Sequence, residues 1–222
     1  MTARPLLIAA LLALTLPGHA AAPPAAPVDR AIAAYADGRL PEAAAAFQKL
    51  ATQGNALARY NLAMMHLREE LPRSRVREAR RLLEQAAGQG FVRAELALGE
   101  LHEQGQLGRV DLVQAQRWFL RAAEHGSADG QVAVGTAFFL GRGAAKDMAQ
   151  AAHWFREAAT GGDVGAQYLL ASLYEQGDGV PRDLRLARYW YDIAARNGDE
   201  AAPFKLKEID ARIESERSQD GA

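Results

Sequence analysis

The chain contains no cysteine. Disulfide bridges, thiolate metal sites, cysteine nucleophiles and any lipid anchor carried on a cysteine are therefore excluded. A surplus of one charge is missing too, since 26 lysines and arginines face 27 acidic residues for a net charge of -1. Proteins that grip nucleic acid normally carry a basic excess, so no nucleic-acid partner is expected. Long apolar runs are absent apart from Leu6 to Leu16, whose 11 residues fall short of the roughly 20 that span a bilayer. With Arg4 before it and Pro17-Gly18-His19-Ala20-Ala21-Ala22 after it, this run reads as a cleaved export signal over residues 1–22, cut after Ala20 or Ala22. Residues 23–27 read as a short Pro/Ala linker. The expected product is a soluble periplasmic or secreted protein.

What is present is a repeat. Gly54, Gly90, Gly126, Gly162 and Gly198 are spaced by 36 residues without insertion or deletion. Ala51, Ala87, Ala123, Ala159 and Ala195 keep the same step, as do Ala43, Ala79, Ala115, Ala151 and Ala187, and the bulky Phe47, Leu83, Phe119, Phe155 and Tyr191. Within a unit, Ala151-x3-Phe155-x3-Ala159 places small, large and small residues on one helical face. The glycine that follows is suited to a left-handed helix stop. Asp111 with Gln114, and Asp147 with Gln150, have capping-box spacing, and Asp183 repeats the cap without the partner. A first helix in each unit carries Ala58, Ala94, Gly130, Ala166 and Ala202, followed four residues later by Leu62, Leu98, Val134, Leu170 and Leu206. Small residues at these places predict close helix approach. Between the helices, Gly141-Arg-Gly143 and Gly177-Asp-Gly179 predict a turn with positive φ.

A hairpin of this size cannot bury its own apolar face, so successive pairs must stack. The predicted fold is all-α: a right-handed α-α superhelix, or solenoid, of about five helical hairpins with a C-terminal capping helix. Residues 28–54 form the first, shorter hairpin, which looks tetratricopeptide-like. Residues 55–198 hold four 36-residue units, and residues 199–222 supply the capping helix and a polar tail.

The run Ala166-x3-Leu170-Ala171-x2-Tyr174-x2-Gly177-x-Gly179-Val180-x2-Asp183-x3-Ala187-x2-Trp190-Tyr191-x2-Ala194-Ala195-x2-Gly198 resembles a Sel-one-like repeat, in the tetratricopeptide-like superfamily and of the exported bacterial kind. The unit from Ala56 to Gly90 departs from it, with Glu69-Glu70-Leu71-Pro72-Arg73 in place of the glycine loop. The resemblance implies a protein-binding adaptor with no shared catalytic residue, of the kind found in envelope signalling, polysaccharide export or quality control. Cysteine-rich relatives have been linked to β-lactams, but their disulfide staples are absent here.

By the same likeness, first-helix residues that escape packing should line the concave side: Tyr60, Met64 and Arg68; Arg93, Leu96, Glu100 and Glu103; Val132, Thr136 and Phe139; Tyr168, Ser172 and Glu175. This stripe reads as a groove for a partner's peptide segment, or else as padding between helices. Arg73, Arg75, Arg77, Arg80 and Arg81 read as a solvated helix face or as a docking patch for an acidic protein surface or an anionic glycan. No catalytic, cofactor-binding or metal-binding residues are expected. His66 and His102 stand where Tyr174 stands and lack a third ligand. Glu100 and Glu103 lie on adjacent turns of one helix, unlike the flanking carboxylates of a glycosidase. An accessory protein or enzyme of the cell wall, related to peptidoglycan, an exported polysaccharide or β-lactams, is the alternative.

Overall fold

A computed structural model describes residues 26–220. The expected export signal and most of the linker lie outside the described residues. Five helical hairpins follow one another: α1 (Pro27–Ala36) with α2 (Leu40–Thr52), α3 (Ala56–Leu67) with α4 (Val76–Ala87), α5 (Val92–Glu103) with α6 (Leu112–Glu124), α7 (Ala128–Leu140) with α8 (Met148–Thr160), and α9 (Val164–Gln176) with α10 (Leu184–Arg196). α11 (Ala202–Asp220) closes the series. Close backbone packing joins each helix to its neighbours in sequence, the arrangement of a solenoid.

One residue position does two jobs at each junction between hairpins. The backbone N–H groups of Asn55, Phe91, Ser127, Asp163 and Asp199 donate to the carbonyls of Leu50, Ala86, Ala122, Ala158 and Ala194. The glycine just before each has φ between +79° and +98°. This six-to-one bond with a left-handed glycine is a Schellman stop, which satisfies carbonyls orphaned at the helix end. The same residues then open the next helix: the side chains of Asn55, Ser127, Asp163 and Asp199 accept from the N–H of Ala58, Gly130, Ala166 and Ala202. Phe91 has no acceptor to offer and caps nothing.

Turns inside the hairpins use the same stop. Gly105, Gly141 and Gly177 have φ of +69°, +69° and +81°. Glu69 occupies the equivalent place at φ +57°, where a Cβ costs on the order of 1 kcal/mol. The departing loop thus keeps the geometry of the glycine loops and bears the strain.

The capping boxes form by one arm only. Asp111 and Asp147 accept from the N–H of Gln114 and Gln150. Their own N–H groups donate to the carbonyls of His102 and Phe138, as Asp183 does to Tyr174. The partner helix supplies an acceptor first, so a glutamine side chain reaching back has nothing left to satisfy. At the equivalent place in the departing hairpin, the Arg75 N–H meets His66 Nδ1 at 3.3 Å.

Small residues set the helix spacing. Ala58, Ala94, Ala166 and Ala202 have no exposed surface. A Cβ on Gly99 would lie 2.4 Å from the Phe119 ring, and one on Gly135 would lie 2.8 Å from Phe155. The core is long but uneven. Phe47, Met65, Leu82, Leu83 and Leu98 anchor the N-terminal part, and Phe155, Leu170, Leu173, Tyr191 and Ile209 the C-terminal part. Between them lies a thin cluster of Ala115, Phe119, Ala123 and Val134.

Candidate functional site

The first helices of the hairpins carry the candidate stripe, and the structure sorts its members into three kinds. Arg93, Glu100 and Glu103 are exposed and form no ion pair among the described residues. Tyr60, Met64, Leu96, Val132, Thr136, Phe139, Tyr168 and Ser172 are half-buried. Their rings lean on the core: Tyr60 packs on Phe91 at 5.4 Å between centroids, Phe139 on Phe155 at 6.4 Å, and Tyr168 on Tyr191 at 5.1 Å. Each aromatic therefore does structural work with one face and leaves part of its surface outside. Arg68 is exposed but donates to the Tyr35 hydroxyl, which in turn donates to Glu70.

Glu175 is different. It is 7% exposed, and its two oxygens accept from the Tyr191 hydroxyl and from Arg212, with the Lys205 ammonium 3.7 Å away. Burial, and then the neighbouring carboxylate, push the Tyr191 hydroxyl far above its usual range, so it stays protonated and donates. Glu175 is a fastening point for α11 and is not open to a partner in this arrangement.

Electrostatics single out the middle of the stripe. Glu100 is exposed along its edge but partly covered near its carboxyl, and this partial desolvation raises the carboxyl above its ordinary value, with the negative charges of Asp129 and Glu103 raising it further. Glu100 and Glu103 on α5 and Asp129 at the start of α7 form an acidic cluster that makes no ion pair among the described residues.

The arginine patch on α4 and its preceding loop is partly spent. Arg80 pairs with Glu84 at 2.7 Å and Arg81 with Glu78 at 2.6 Å. Both pairs are exposed and contribute little. Arg73, Arg75 and Arg77 are exposed and form no ion pair among the described residues. Arg75, Arg77, Arg80 and Arg81 border an open depression of about 650 Å³.

Two further groups escaped sequence reading. Arg59, Gln131 and Gln167 each donate to the carbonyl eight residues earlier, at Ala51, Ala123 and Ala159. The equivalent residue in the third hairpin is Glu95, an acid where the others carry an amide or a guanidinium. Arg121 instead reaches across to the Ala87 carbonyl at 3.3 Å, while its Nη2 lies 3.0 Å from Glu95 Oε1. His125 Nδ1 meets the other oxygen at 2.8 Å. This is repair of a repeat contact, and the 36-residue register was the signal that could have revealed it. The second group is Gln116 on α6, buried with neither carboxamide atom hydrogen-bonded among the described residues. Among the described residues no cluster of three or more histidines and acidic groups is arranged to hold a metal. No described helix is long and apolar enough to cross a membrane.

A stack of hairpins with a continuous, unevenly charged first-helix face defines a helical-repeat solenoid, a class that works by presenting surface. The chain belongs to the Sel1 repeat family, whose model matches residues 56–91, 92–127, 128–163 and 164–199. Sel1 repeats generally mediate protein interactions. The chain is similar to a Sel1 repeat protein from Oxalobacter formigenes at 33% identity and a TM-score of 0.70, covering 76% of this chain and 49% of that one. It is also similar to c5321, a protective antigen of uropathogenic Escherichia coli with the same repeat fold, at 30% identity and a TM-score of 0.70, covering 76% of this chain and 36% of that one. The chain thus spans about half or less of the length of these relatives. No curated protein matches it.

Proposed function

We propose that the protein is a periplasmic or secreted interaction scaffold, which holds a segment of a protein partner against the first-helix face from Tyr60 to Ser172. The observation that carries this reading is the unneutralised acidic cluster of Glu100, Glu103 and Asp129, flanked by half-buried aromatics with surface to spare. Like charges held together raise the free energy of the unbound chain, and a cationic segment laid across them lowers it. Tyr60, Phe139 and Tyr168 are already immobilised by their core contacts, so ordering them on binding costs little side-chain entropy. The expected export signal supports the compartment.

Photo-crosslinking in intact cells tests the reading. A crosslinker at Glu100, Glu103 or Thr136 should capture the same partner, whereas one at the exposed Gln48 or Gln85 of the second helices should not. Glu100→Lys combined with Glu103→Lys should abolish capture. No capture at the first-helix positions, or equal capture from both sets, would sink the proposal.

A further inference from the structure

The 36-residue register allows each hairpin to be compared with the next. Charge is where the second hairpin departs. Residues 56–91 hold seven arginines against four glutamates, whereas each of the three repeats that follow has one acidic residue more than it has basic ones. The excess gathers around the depression at the start of α4, where Arg75, Arg77, Arg80 and Arg81 surround the apolar Val76 and Leu107.

The chain contains the same place a second time. At the start of α10, Asp183, Leu184 and Arg185 stand where α4 has Arg75, Val76 and Arg77, and they line a smaller depression of about 390 Å³. There the cations are answered from within the molecule. Arg188, the counterpart of Arg80, pairs with Asp210 of α11, and Arg182 pairs with Glu216 of the same helix at 2.7 Å. Ile213, between the two acids in sequence, lines the depression beside Glu216. A peptide segment carrying an acid, an aliphatic residue and an acid at three-residue spacing thus serves this end of the fold.

Over α4 the counterparts of these acids are missing. By register, Asp210 corresponds to His102 and Glu216 to Gly108. Burial, and then the charge of Arg80, hold the His102 imidazole below its ordinary value, so at neutral pH it is uncharged and supplies nothing to pair with. Arg39, at the Arg75 position of the first hairpin, pairs with both Asp37 and Glu42. Arg75 and Arg77 are exposed and form no ion pair among the described residues. Arg80 and Arg81 pair only with Glu84 and Glu78 of their own helix, in exposed contacts that cost little to exchange.

We propose that the depression at the start of α4 binds an acidic peptide segment of a protein partner, which sets carboxylates against Arg75, Arg77 and Arg80 and an aliphatic side chain against Val76 and Leu107. Guanidinium groups grip carboxylates through paired hydrogen bonds, which gives the contact direction as well as charge. The apolar pair selects a peptide over an anionic glycan, whose hydroxyls would face Val76 and Leu107 without partners. The site lies on α4 and the α5–α6 loop, off the first-helix stripe, and does not depend on what that stripe holds.

Fluorescence anisotropy of a labelled peptide titrated with the full chain tests the site. The peptide carries one aspartate, one isoleucine and one glutamate at the spacing of Asp210, Ile213 and Glu216, with alanines elsewhere. It should bind saturably, and about fivefold or more weakly when sodium chloride rises from about 50 to about 500 mM. The same peptide with asparagine and glutamine in place of its acids should bind at least about fivefold more weakly, as should a glucuronate oligomer of equal charge. Arg75→Asp should abolish binding while raising the melting temperature by about 2–4 °C, because it restores the helix cap that Asp111, Asp147 and Asp183 provide. The backbone is already suited to it, with φ -144° and ψ 117° at Arg75 against -147° and 103° at Asp147. Arg77→Ala, at an exposed helix position, should weaken binding about threefold with the melting temperature unchanged. No saturable binding, equal binding of the amide peptide, preference for the glucuronate oligomer, or undiminished binding in either variant would each overturn the site.

Discussion

The junction of α7, α8 and α9 and the junction of α5, α6 and α7 are the same piece of architecture built twice, 36 residues apart. The later one is a filled core, with Leu173 at 2% and Phe155 at 1% exposure. The earlier one keeps the backbone, the glycine-on-phenylalanine contact and the aspartate cap, and leaves its centre open as a recess of about 180 Å³ bordered by Phe119 and Ala137. Repetition therefore supplies the frame, and departure from repetition supplies the surface that can recognise something. The second and third hairpins teach the same lesson in the other direction. Glu69 and Glu95 break the register, and the chain spends a strained backbone and a borrowed arginine to hold the frame together.

The largest effect should come from exchanging the side chains of the two junctions. Leu173→Ala should lower stability by about 2–5 kcal/mol, as expected when a buried leucine is truncated. Ala137→Leu at the equivalent open site should be neutral or stabilising by up to about 1 kcal/mol, because the new side chain has room. Urea unfolding of both variants checks this, and a similar loss in each would show that the earlier junction is not open in solution.

Glycine substitutions sharpen it further. Gly135→Ala should cost about 1–3 kcal/mol by forcing Phe155 out of a packed site. Gly99→Ala has the shorter intruding distance, 2.4 Å against 2.8 Å, yet should cost less, because the Phe119 ring borders the recess and can move into it. The order of the two losses in thermal melts is the test, and the reverse order would mean that distance alone governs.

Smaller effects come from the frame. Asp163→Ala should cost about 1 kcal/mol by removing a helix cap, and Glu69→Gly should gain about as much by relieving its left-handed backbone. Circular dichroism melts of the pair should move in opposite directions.

The smallest effect is electrostatic. The Glu100 carboxyl is raised, so the folded state holds its proton more tightly than the unfolded state does. This group's contribution to stability is therefore most favourable below the unfolded carboxylate range and is lost as pH rises through the folded value. Glu100→Gln should abolish that pH dependence and raise stability at neutral pH by no more than about 0.5 kcal/mol. Stability curves from pH 4 to 7, with and without the substitution, would show it.

Much of this was legible in the chain. The 36-residue glycine series fixed the hairpins because each glycine sits at a left-handed stop, a local requirement that the backbone imposes wherever it occurs. Ala166, Ala202 and Gly130 announced close helix contacts for an equally local reason, since only small residues permit them. The stripe was less legible. Its residues were chosen by helical face, and a face does not reveal what another helix lays over it. Glu175 reads from the sequence like Glu103, an acid at the end of a first helix. In the structure it is covered by α11 and held by Arg212, a residue 37 positions away.

Gln116 shows the boundary between the two kinds of knowledge. The family and the register that makes Gln116 equivalent to Ala152 are readable in the chain itself. They are so because caps, glycine stops and small-residue contacts act within a few residues of their own position. That Glu103, Gln116, Ala133 and Ala137 line one recess emerges only when the helices pack. Those four residues come from three helices, and the depth beneath a helix face depends on the combined volume of side chains that the chain brings together only when it folds.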